Sequence, residues 1–143
     1  MASSGHLLSH VMIDLLFLVA ATTAMNKITL PDHYLSVISD QRFADQIEKI
    51  GFEAYKYSQG PPKNMQLPNL IYYILVDAGL WLINDRKRSY CAIFRAACLE
   101  VDPDIKLTSL IVQVVYDMKV DHGYPTSLNG VNKKNIFVSI YQV

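Results

Sequence analysis

Between Ser39 and Ser58 the apolar residues Phe43, Ile47, Ile50, Ala54 and Tyr57 fall at intervals of four, three, four and three. That spacing marks one face of an α-helix, and Asp45, Gln46, Glu48, Lys49, Glu53 and Lys56 turn away from it. Ser39 or Asp40 is placed to cap the N-terminus. Gln59-Gly60-Pro61-Pro62 stops the helix, because proline lacks an amide donor and clashes with the preceding turn. Any fold open to this chain must give the stripe an apolar wall. Gly51, within the stripe, costs up to about 1 kcal/mol relative to alanine and so needs a packing reason. Close approach of another helix backbone is the natural one.

Helical spacing is read elsewhere too. Leu7, Leu8, Val11, Met12, Leu15, Leu16, Leu18 and Val19 fill more than half of a helical wheel, and Asp14 is the only charged side chain among the first 26 residues. The lone acid, with no basic region before the apolar run, argues for a buried first helix; a targeting or anchoring segment is the alternative. Pro68 opens a helix through Leu70, Ile71, Ile74, Leu75 and Ala78, and from about Asp85 another carries Tyr90, Ile93, Phe94, Ala97 and Cys98. Asp102-Pro103 is a start signal for a helix bearing Leu107, Leu110, Ile111, Val114, Val115 and Met118 on one face. A short last helix runs from Asn132 to Tyr141. The expected fold is all-α, a bundle of six to eight helices forming a single domain over residues 1–143. The sequence closes at Tyr141-Gln142-Val143 with no hydrophobic tail, so no C-terminal membrane anchor is expected.

Composition narrows the function classes. The chain is 51% apolar and 18% charged, with 13 basic and 13 acidic residues cancelling. Disorder is excluded, and the basic footprint of a nucleic-acid binder is missing. The six glycines, at 5, 51, 60, 79, 123 and 130, form no phosphate-cradling loop. His6 and His10 stand four apart but lack the intervening Glu and further ligands of a metal helix, so no metal or cofactor is expected. Cys91 and Cys98 lie seven apart in one expected helix, about 10 Å between Cα atoms, too far for a disulfide. They read as buried reduced thiols, and with no Asn-x-Ser/Thr acceptor present they favour a reducing, cytoplasmic setting. Arg86-Lys87-Arg88 is too short for a nucleic-acid patch, and an enzyme is the weaker class of explanation.

Phe43, Ile47, Ile50, Gly51 and Ala54 resemble, in register, the BH3 motif of the Bcl-2 family, with Phe52 where that motif has Asp. Leu75-Val-Asp-Ala-Gly79 with Asn84-Asp85-Arg86 looks like a degraded BH1 region, and the stretch from Arg86 to Glu100 is similar to the family's central helix. Asn129-Gly130 with Ile136 to Tyr141 looks like BH2 and the closing helix, and Gly5–Ala24 would be the first helix. Short length, eroded motifs and no C-terminal anchor look like the virus-encoded pro-survival members.

The resemblance implies a bundle around a central apolar helix and a surface groove lined by Ala54, Ser58, Ile71, Leu75, Ser89 and Ile93. In it a partner's BH3 helix would lie with its Asp on Arg86, a bidentate pair that fixes register. The function so implied is non-enzymatic inhibition of apoptosis in a host cell. The partners would be pro-apoptotic BH3-bearing proteins of the Bim type, with mitochondria reached only through them. Leu80, Trp81, Leu82 and Ile83, with the apolar first helix, motivate a homodimer. An unrelated helical adaptor and a pro-apoptotic BH3-bearing member are the alternatives.

Overall fold

The structure, a computed structural model, describes residues 28–119 and 126–143. One helix, α1 (Gln41–Gln59), packs on one face of a five-stranded sheet. The strands are β1 (Leu35–Ser36), β2 (Leu70–Asn84), β3 (Lys87–Glu100), β4 (Lys106–Lys119) and β5 (Phe137–Gln142). They lie side by side in chain order, each antiparallel to its neighbour. Two 3-10 turns, Leu128–Gly130 and Lys133–Asn135, lead into β5.

The expected all-α bundle is therefore overturned, and with it the resemblance to the Bcl-2 family and to its virus-encoded members. The segments expected as helices from Pro68, Asp85 and Asp102-Pro103 are β2, β3 and β4; Asp102-Pro103 lies in the turn between β3 and β4. The expected last helix from Asn132 to Tyr141 is a 3-10 turn followed by β5. The expected first helix at Gly5–Ala24, with His6 and His10, lies outside the described residues.

One expected helix stands. Asp40 caps α1, its Oδ1 accepting from Phe43 N at 3.2 Å, and the helix ends at Gln59 before Gly60-Pro61-Pro62. Its stripe of Phe43, Ile47, Ile50, Gly51 and Ala54 is buried. The wall it meets is a sheet face rather than helices, made of Ala78, Tyr90, Ala92, Phe94, Ala96, Leu110, Val112, Val114, Tyr116 and Met118. Gly51 has the expected kind of reason with a different neighbour. A Cβ there would sit 2.8 Å from Ala92 Cβ and 3.3 Å from the Phe94 ring, so the glycine lets α1 approach strand β3.

The even-numbered residues of β3 and β4 face α1; the odd-numbered ones face the opposite side, as the two-residue period of a strand requires. That opposite, outer face is also buried. Cys91, Ile93 and Ile111 form a second apolar cluster with Tyr34, against which Ile28, Leu30, Val76 and Val115 pack. Gly79 is the close-approach point here: a Cβ would meet the Leu30 side chain at 2.8 Å, so the segment before β1 crosses the strand tightly.

Candidate functional site

The residues expected to line one groove are divided between the two sides of the sheet. Ala54 and Ser58 are buried on the sheet-facing side of α1, where Ser58 Oγ donates to the Ala54 carbonyl at 2.9 Å. Leu75 packs into the same core. Ser89 and Ile93 are on the outer face of β3, with the whole sheet between them and the helix. Arg86 is exposed in the β2–β3 turn, and Ile71 is exposed near the start of β2. No common wall joins these seven residues, and Arg86 stands beside no groove that they form. The BH3-like stripe is core of this molecule rather than a surface ligand.

Nor do the thiols make a reactive centre. Cys91 and Cys98 are free and buried, and their odd spacing puts them on opposite faces of β3 rather than along one helix face. Burial pushes the Cys91 thiol up to about 11 and raises that of Cys98 as well, away from the thiolate a nucleophile needs. Among the described residues no three His, Cys, Asp or Glu side chains are grouped to hold a metal ion. No helix among them is long and apolar enough to cross a membrane.

The outer face carries the polar geometry. Asp117 on β4 takes Lys87 Nζ at 2.9 Å and Asn135 Nδ2 at 3.1 Å. Burial alone would raise its carboxyl, but hydrogen bonds from Lys87, Ser89 and Asn135 outweigh that and hold it below the ordinary value. Ser89 Oγ lies 2.7 Å from the Tyr34 hydroxyl, so the network ties the segment before β1 to β3, β4 and the 3-10 turn before β5. Its described members hold one another.

The remaining feature is an edge. Among the described strands, β2 is paired on its outer side only by β1, at Gly79 and Leu80, with one further bond from Val37 N to the Ala78 carbonyl. The preceding run Leu70-Ile-Tyr-Tyr-Ile-Leu-Val76 has no charge, no proline and no described neighbour strand on that side. Ile71 is 55% exposed. Helical spacing concealed this edge, although five of the seven residues, Ile71, Tyr72, Tyr73, Ile74 and Val76, are β-branched or tyrosine, a composition that marks strands. The run Leu80 to Ile83, expected as a dimer surface, is partly engaged: Leu80 packs against the core, and Trp81 meets His33 edge-on at 4.2 Å between ring centroids. Leu82 stays exposed.

No protein-family model, curated protein or solved structure matches the chain.

Proposed function

We propose that the protein is a non-enzymatic association module whose β2 edge pairs, antiparallel, with the β2 edge of a second copy. What supports the reading most is the Leu70–Val76 edge itself. Edge strands are ordinarily blunted by charge, proline, shortness or cover, since exposed main-chain donors and acceptors template pairing with another chain. β5, at the other edge, is six residues long; β2 is fifteen and keeps a seven-residue apolar run on the side with no described neighbour strand. Antiparallel pairing about a two-fold axis brings the same segment to itself and satisfies both edges at once. Zero net charge leaves no long-range repulsion between copies.

Sedimentation velocity over roughly 1–100 µM, the range where interfaces of modest area are populated, tests it. A monomer–dimer equilibrium is expected, and Ile71→Lys, which sets a charge on the exposed edge, should shift it at least tenfold toward monomer with unchanged far-ultraviolet circular dichroism. A wild-type chain that stays monomeric throughout, or a dimer indifferent to Ile71→Lys, overturns the reading.

A further inference from the structure

The chain carries no net charge, yet the two ends of β3 are charged oppositely. At one end the turn to β4 reads Leu99-Glu100-Val101-Asp102-Pro103-Asp104-Ile105, and only Glu100 has a base opposite it, Lys106. At the other end Arg86, Lys87 and Arg88 stand with Lys119 of β4, which pairs in register with Lys87. Asp117 takes Lys87, and Asp85 offsets one of the remaining bases. The first end is left with two acids and the second with two bases. β3 is fourteen residues long, about 43 Å, several times the Debye length of about 10 Å at 0.1 M salt. Neither end therefore neutralises the other within one molecule. Among the described residues, Asp102, Asp104, Arg86 and Lys119 make no ion pair. Both ends also expose apolar side chains. Val101 and Ile105 are 65% and 77% exposed and Leu99 is exposed at the end of β3, while Leu82 is exposed just before the β2–β3 turn.

We propose that copies of this chain associate head to tail, the β3–β4 turn of one seated on the β2–β3 turn of the next. Charge complementarity selects the partner. Two β3–β4 turns set against each other would place acid on acid, and two β2–β3 turns base on base, so only unlike ends attract. Leu99, Val101 and Ile105 then leave water against Leu82, adding an apolar contribution to the charge pairing. A contact between two different surfaces is heterologous, and with the surfaces at opposite ends of β3 it extends into an open row of copies. It does not use the Leu70–Val76 edge, so it adds to the β2-edge pairing without resting on it.

The full chain carrying Ile71→Lys silences the β2 edge and isolates this contact. At about 100 µM its sedimentation coefficient should rise with concentration in about 20 mM salt and fall toward the monomer value in about 500 mM, where the Debye length is about 4 Å. Added to that parent, Asp102→Lys with Asp104→Lys makes both ends positive, and Arg86→Glu with Lys119→Glu makes both negative. Each pair should weaken association about tenfold or more. Mixed in equal amounts, the two variants present unlike ends again and should associate as the parent does. Ile105→Ser leaves every charge in place and should weaken association several-fold. A parent that stays monomeric in low salt, or association indifferent to a charge reversal or to Ile105→Ser, would overturn the proposal. So would a mixture that fails to associate although both variants keep the parent's far-ultraviolet circular dichroism. The β2-edge dimer is read in the chain without Ile71→Lys, and its failure would leave this contact untouched.

Discussion

The two faces of the sheet are both buried, but they are built differently. The face under α1 is almost wholly apolar and aromatic. Phe43 meets Tyr90 edge-on, Tyr90 stacks on Tyr116 at 5.5 Å, and Tyr73 lies between Phe52 and Phe94. Its deepest hydroxyl, on Tyr116, is satisfied by donating to the Ile47 carbonyl of the helix at 3.2 Å. The outer face instead interleaves Cys91, Ile93 and Ile111 with Ser89, Arg95, Gln113 and Asp117. Apolar contact is non-directional and tolerates sliding, whereas hydrogen-bonded and charged groups work only in one alignment. The helix-covered face thus supplies most of the stability, and the polar network fixes how the chain before β1 and the turns before β5 sit against β3 and β4.

Substitutions at matched depth sharpen that contrast. Phe94, fully buried under α1, touches Tyr73 edge-on at 5.5 Å and lies beneath Gly51. Phe94→Ala should cost about 3–5 kcal/mol, the range for emptying an aromatic site in a core, measured as the loss in urea unfolding free energy. Gly51→Ala comes next. Its methyl would arrive 2.8 Å from Ala92 Cβ, where neither the helix nor the strand is free to yield. Overpacking of this kind costs about 1–3 kcal/mol, and the better helix propensity of alanine returns up to about 1. A net loss is expected in the same assay; a stabilised variant would show that the helix rests on the strand more loosely than the distances imply.

Double-sided burial also explains which parts of the fold were legible in the sequence. α1 has one buried side and one wet side, so its polar residues print the helical period and Asp40 and Gly60-Pro61-Pro62 mark its ends. A strand covered on both faces has few polar positions to alternate, and its apolar run is compatible with either period. In β4, Leu107, Leu110, Ile111, Val114, Val115 and Met118 trace a helical stripe, yet Leu110, Val112, Val114, Tyr116 and Met118 form a strict two-residue row toward α1. The β-branched cluster Ile111, Val112, Val114 and Val115 was the discriminating signal, and it favours a strand. The groove failed for the same reason. Ala54 and Ile93 share a wall only if β3 is a helix; as a strand it sends Ile93 to the far side.

The smallest expected effect lies on the outer face and depends on pH. Asp117 is about nine-tenths buried, and hydrogen bonds from Lys87, Ser89 and Asn135 favour its charged form over the desolvation that opposes it. Its carboxyl is held lower in the folded chain than in the unfolded one, so the unfolded state binds the proton more readily. The stabilisation is therefore complete above the unfolded-state value, near pH ~4, and is lost as pH falls through the lower folded-state value. Asp117→Asn keeps the shape but gives up the charge, and Lys87 is part-exposed, so solvent screens the pair and a loss of only about 1–2 kcal/mol is expected at neutral pH. The gap between wild type and variant should close on acidification below pH ~4, whereas the Phe94→Ala gap should stay constant across the same titration, because no proton is involved in filling a cavity. If the Asp117→Asn difference persisted undiminished at the acid end, Asp117 would be acting through its shape and neutral hydrogen bonds, and the two faces would differ in composition but not in the kind of force that holds them.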